Sequence, residues 1–191
     1  MKELSPLHAA LRDLAAWFAS MKIPHAFIGG VAAALQGRPR MTQDVDSLVL
    51  LDDSRWDEFL AVGERFGFQP RVTDAMGFAR KEHVLLLKHT ASNIPVDVSF
   101  AYLPFEEKAL ARAPVVIMGD LSFPIPTPSD LIVMKAVAHR GKDAVDIENV
   151  LDAHPDVDAA EIRRTVKEFS DVLEAPEIFA DLDAMLRRKG L

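Results

Sequence analysis

Cysteine is absent from the 191-residue chain. That excludes disulfides, thiolate metal centres and cysteine nucleophiles, while saying little about compartment. Long apolar runs are absent too: none approaches the ~20 residues that span a bilayer, so no membrane segment is expected. An excess of positive charge is missing as well. With a formal net charge of −7 the protein as a whole is not a polyanion binder, and any contact with nucleic acid must be local. The opening residues, Met1-Lys2-Glu3-Leu4-Ser5-Pro6, contain no basic region leading into a long apolar one, so no signal peptide is expected and the protein should stay in the cytoplasm. No repeat or low-complexity segment breaks the chain. What is present, 49% hydrophobic and 27% charged residues, suits a soluble globular protein with a real core: one domain, or a core domain with a small appendage.

Helix and strand signals alternate through the first two-thirds. Ser5-Pro6 is a hydroxyl cap followed by proline at the first helical position, and Leu7, Leu11, Leu14 and Phe18 follow at helical spacing. His25 to Ile28 reads as a short strand entering Gly29-Gly30, and Val31 to Gln36 as a helix stopped by Gly37. Asp53 or Ser54 is expected to cap a helix running to about Phe66. Phe78-Ala79-Arg80, His83 to His89 and Ile94 to Phe100 read as strands, with Pro95 favouring an edge or a strand start. Glu106 to Arg112 is expected to be a short helix. Val115 to Met118 and Leu121 to Ile125, joined by Gly119-Asp120, predict a hairpin. Thr127-Pro128-Ser129-Asp130 is the strongest helix start, resembling a capping box, and its helix should run to about Arg140. Beyond it three helices are expected, near 143–153, 159–173 and 177–188, separated by Pro155 and Pro176. The expectation is an α+β (α/β-like) protein: a mixed β-sheet core flanked by helices over residues 1–126, and a C-terminal helical region over 127–191 packed on it.

One stretch concentrates chemistry. Gly29-Gly30 stands where a strand ends and a helix begins, a place that exposes backbone N–H groups and lets a phosphate approach closely. Fourteen residues after Gly30 comes Asp44-Val45-Asp46, followed by apolar Leu48 and Val49. If that stretch is a strand, both acids face one way, and their repulsion is relieved by a proton, by basic neighbours or by a divalent metal. Asp97, flanked by Val96 and Val98, repeats the pattern on a later strand. If the two strands adjoin, three carboxylates can hold two metals and support an in-line displacement.

These residues resemble the nucleotidyltransferase superfamily that includes DNA polymerase β. Gly30 to Asp46 with Arg38, Arg40 and Thr42, and then Lys135, Arg140, Lys142-Asp143 and Asp146, look like the AbiEii-type toxins of type IV toxin–antitoxin systems, over roughly residues 25–151. Gly30 stands where that family often has serine. The resemblance implies a nucleotidyltransferase-type fold and an enzyme dependent on Mg²⁺ or Mn²⁺ that moves a nucleoside monophosphate from an NTP to a hydroxyl of RNA such as tRNA, or of a protein, with an antitoxin as partner. It implies Asp44, Asp46 and Asp97 as metal ligands and, with Lys135, as the catalytic group. It implies one of Asp143 or Asp146 as a further aspartate assisting nucleotide binding and catalysis, while Gly29, Gly30 and Arg40 are read from their positions as nucleotide-phosphate contacts. The alternatives are an inactive binding module of the same fold and a transferase acting on a small molecule such as an antibiotic.

Each of these residues also has a plainer reading. Asp44 and Asp46 could cap a turn or edge a strand, and a lone strand acid such as Asp97 could face solvent. Arg38 and Arg40 flank Pro39 as exposed loop residues or as phosphate contacts. Lys135 interrupts the apolar run Leu131 to Ala138 and either snorkels to the surface or pairs with the acidic site or a phosphate, the favoured expectation. Asp143 is equally suited to be a helix N-cap, His139 is read as surface, and Asp152, Asp156, Asp158 and Glu161 as a solvated acidic face.

Overall fold

Ser5 accepts a hydrogen bond from the His8 amide, and Pro6 opens helix α1 (Pro6–Met21), as the sequence predicts. The computed structural model describes residues 5–191; Met1–Leu4, on which part of the expectation of no leader rests, lie outside the described residues. No helix among the described residues is long and apolar enough to cross a membrane. The chain divides into two compact units: one holds the chain up to Val31 and Thr42–Ile125, the other Ala32–Met41 and Pro126–Leu191.

The first unit is built on a five-stranded mixed sheet. Its strands are β1 (His25–Phe27), β2 (Val45–Val49), β3 (Phe68–Pro70), β4 (Val84–His89) and β5 (Ile94–Phe100), in the order β1-β2-β5-β4-β3. Only the β2–β5 pairing is parallel, with Val45 opposite Val96 and Asp46 opposite Asp97. β5 is internal, and Pro95 is tolerated because it lies at the strand start, before the pairing with β2 begins. One face of the sheet is apolar: Val45, Val49, Val96, Val98, Phe100, Leu85 and Leu87 are all buried. Aromatic side chains cover this unit's core. Trp17 of α1 stacks on Phe59 of α3 (Trp56–Arg65) at 4.2 Å between ring centroids, and Trp56 stacks on Phe100 at 3.8 Å. Gly63 lets α3 approach this closely, because a Cβ there would lie 2.5 Å from the Trp17 indole.

Two local expectations fail here. Asp52, rather than Asp53 or Ser54, caps the turn before α3, its carboxylate accepting from the Ser54 amide. Phe78-Ala79-Arg80 is not a strand but part of α4 (Ala75–Glu82), which Asp74 starts by accepting from the Gly77 amide. Buried Ala75 and Ala79, one turn apart, supply the apolar side that a strand reading overlooks. After α5 (Pro104–Ala111), β6 (Val115–Met118) and β7 (Leu121–Pro124) form the expected hairpin.

The second unit is helical. Its helices are α6 (Pro128–Ala138), α7 (Gly141–Ala153), α8 (Ala159–Val172) and α9 (Pro176–Arg188). Thr127 caps α6 as expected, accepting from the Asp130 amide and donating its hydroxyl to the Asp130 carboxylate at 2.6 Å. Asp143 is not the N-cap of α7. It stands at the third helical position and reaches back to accept from the Arg140 amide. The acidic tail is more than a solvated face, since Asp158 caps α8 by accepting from the Glu161 amide, and Asp152 pairs with Lys189.

Candidate active site

Helix α2 (Gly29–Gln36) begins directly after β1. Gly29 has φ of +58°, a conformation that glycine adopts without strain. A Cβ at this position would lie inside the Asp46 carboxylate. The Ile28 amide donates to the Asp46 carbonyl at 2.9 Å, so turn and acid are fixed against each other. A glycine is needed here by both backbone angle and space, which the sequence alone could only suggest.

Asp46 and Asp97 are direct partners across the parallel β2–β5 pairing. Their side chains therefore leave the same face of the sheet, on strands about 4.8 Å apart. Both are half-buried. Asp44 is placed differently from expectation: it lies in a bend ahead of β2, and its carboxylate accepts from the Thr42 hydroxyl at 2.8 Å. Strand alternation therefore does not orient it, although its charge is felt at Asp97. Burial pushes the Asp97 carboxyl up, the Arg71 guanidinium pulls it back only in part, and Asp44 adds to the rise.

Among the described residues no three acidic or histidine side chains converge closely enough to hold a metal ion. Asp44 accepts from Thr42, and Asp97 is ion-paired with Arg71. In kind the donor set fits a hard divalent cation, being made of carboxylate oxygens alone.

Arg71 was not among the candidate residues. Nothing in the sequence marks it, because it follows β3, the one strand of the sheet that periodicity does not reveal.

The second unit holds the other candidates. Lys135 is 3% exposed and donates to Asp143 Oδ1 at 2.9 Å, with Asp146 Oδ2 at 2.7 Å. Arg40 grips Asp146 with two hydrogen bonds of 2.8 Å, through Nε and Nη2. Arg140 Nε donates to Asp143 Oδ2 at 2.7 Å. Burial pushes Asp143 up, but the bonds from Arg140 and Lys135 outweigh it and hold the carboxyl below its ordinary value. Asp146 is lowered in the same way by Arg40 and Lys135. Lys135 thus does not snorkel: two carboxylates of its own unit pair with it. Arg40, expected as a phosphate contact, is bound to Asp146, and Arg38 lies 3.9 Å from Asp152. His139 pairs with Asp181 at 2.9 Å.

The solution structure of the antibiotic-resistance factor ANT(2'')-Ia shares the fold, with a TM-score of 0.62 at 15% identity, over 91% of this chain and 97% of that one. An antigenic nucleotidyltransferase-like protein from Paracoccidioides brasiliensis shares it with a TM-score of 0.54 at 16% identity, over 92% of each chain. At such identities the likeness establishes the fold alone. No curated protein matches the sequence. The family described as nucleotidyl transferase AbiEii toxin, type IV TA system, matches residues 11–189. With nearly the whole chain matched, glycine turn and acids included, this protein belongs to the AbiEii family of nucleotidyltransferases.

Proposed function

We propose that the protein moves a nucleoside monophosphate from an NTP to an acceptor hydroxyl, on RNA such as tRNA or on a protein, as the toxin component of a type IV toxin–antitoxin pair. The observation that carries this reading is the register of Asp46 beside Asp97, with the Gly29 turn closed against Asp46. Backbone N–H groups at the start of α2 would receive phosphate oxygens, favoured there by the helix dipole. Asp44, Asp46 and Asp97 would hold Mg²⁺ or Mn²⁺, which when bound would neutralise charge on the triphosphate. Asp97, kept partly from water, would accept the proton of the attacking hydroxyl. Lys135 and one of Asp143 or Asp146, implied by the family for nucleotide binding and catalysis, would act with Arg40 as one fixed ion cluster, because the Lys135 ammonium would have to leave two carboxylates to meet a phosphate.

The test is incubation with Mg²⁺ and each α-labelled NTP, with total tRNA, with a partner protein or alone. Label transfer to a macromolecule is the expected result. Failure of the intact protein to bind any NTP overturns the reading. An arm with hydroxyl-bearing antibiotics covers the small-molecule alternative, which the fold shared with an antibiotic-resistance factor supports.

A further inference from the structure

The pairing register places a row of residues across the first unit's sheet. Asp46 stands opposite Asp97, and Asp97 opposite Leu86. The Arg71 amide donates to the Leu86 carbonyl at 2.9 Å, which puts Arg71 next in line beyond the end of β3. The Arg71 backbone is thus two strands from that of Asp97, about 10 Å at the usual spacing. Its side chain spans Leu86 to reach the acid. In the neighbouring row Gln69 stands opposite Lys88, and Lys88 opposite Pro95. Lys88 therefore leaves the same face as Leu86 and Asp97, two residues along β4.

Beside this row lies a cavity of about 490 Å³, lined by Gln69, Pro70, Arg71, Lys88, Thr90 and Asn93. Its lining carries two cations, three side chains able to hydrogen-bond, and no carboxylate. In a protein of net charge −7 that is a local reversal of sign. Lys88 is exposed and forms no ion pair among the described residues. Arg71 does have a partner, but the pair is about one-third exposed on both sides, a setting in which ion pairs hold weakly. A phosphate offers the guanidinium a bidentate partner instead.

We infer that this groove is a phosphate subsite for the acceptor strand, in which Lys88 and Arg71 take a phosphodiester and Arg71 thereby uncovers Asp97 beside Asp46. The inference rests on the transferase reading and narrows it. Two cations at the approach to the acids favour a phosphate-bearing acceptor and oppose a polycationic one. Arg71 also acts as a stand-in counter-ion that keeps Asp97 occupied until an acceptor docks.

The test measures binding of a labelled single-stranded oligoribonucleotide by fluorescence anisotropy over a range of salt, and binding of labelled NTP in parallel. Lys88→Gln should weaken the oligonucleotide about five- to tenfold and lower the salt slope by about 0.7, the value for one phosphate contact on a single strand. NTP binding should stay unchanged. Arg71→Gln should weaken the oligonucleotide similarly and tighten Mn²⁺ binding, read by electron paramagnetic resonance, because Asp97 has lost its internal partner. If NTP binding weakens and oligonucleotide binding does not, the subsite belongs to the donor and the acceptor assignment is overturned. Unchanged oligonucleotide binding in both variants, or none in the wild type, also overturns it. Absence of NTP binding in the wild type overturns the transferase reading instead, and the oligonucleotide arm still decides the groove.

Discussion

Asp46 and Asp97 in the sheet unit, and Asp143 and Asp146 in the helical unit, are both pairs of neighbouring carboxylates, yet the surroundings of Asp97 push it up while those of Asp143 and Asp146 hold both down. On the sheet the acids are half-buried, Asp97 shifts upward, and its counter-charge is the exposed Arg71. Around Lys135 the acids are almost wholly buried and shift downward, because ammonium and guanidinium groups meet them from several sides. A carboxylate buried with incomplete compensation, as Asp97 is, is poised to accept a cation or a proton. Carboxylates fully compensated inside a helical unit hold that unit's structure, and removing one partner leaves a buried charge. The two clusters should therefore fail differently when broken.

The largest effect is expected on the sheet. Asp46→Asn keeps the size and the fit against Gly29 but removes the charge, so NTP-dependent transfer should fall about a hundredfold to ten-thousandfold. The thermal midpoint should hardly move. Equal transfer by variant and wild type would make the sheet acids no more than structural. An inactive binding module would show no transfer in either form and unchanged partner binding.

Next comes Lys135→Met, which matches the length of the side chain and deletes its charge. Two buried carboxylates lose a shared partner, and a cost of about 3 kcal/mol is expected in urea denaturation. Transfer measured on the fraction still folded then separates a structural lysine from a catalytic one. Undiminished stability with abolished transfer would move Lys135 from the structural side of the comparison to the catalytic side.

The contrast was only half legible in the sequence. The glycine turn, the acids and the lysine within an apolar helix could be found because each breaks a local pattern: glycine at a strand end, charge among valines, charge inside an apolar run. Their partners broke no pattern. Arg71 follows a strand of three residues, too short for alternation to show. Arg40 and Asp146 are 106 positions apart, and only the fold brings the guanidinium onto the carboxylate. Asp44 looked like a strand residue because it lies two positions before Asp46, whereas the strand begins at Val45. The fold class could be read because alternation, caps and prolines are local signals, but pairing register, which sets Asp46 beside Asp97, is a property of the assembled sheet.

The smallest effect, and the one most specific to the helical cluster, is on stability against pH. Asp143 and Asp146 have folded-state values below the unfolded value of about 3.9. Their contribution is therefore fully present above that unfolded value and is lost as pH falls through the folded ones. Stability should be level from neutrality to about pH 5 and then decline on the acid side, as followed by helix ellipticity in urea at a series of pH values. In Lys135→Met the same carboxylates have less to hold them ionised, and burial raises them toward protonation. A proton then relieves the very charge that the missing lysine had balanced, so the stability gap between variant and wild type should narrow on acidification. A gap that stayed constant with pH would mean that the lysine contributes by packing, and that charge compensation does not separate the two clusters.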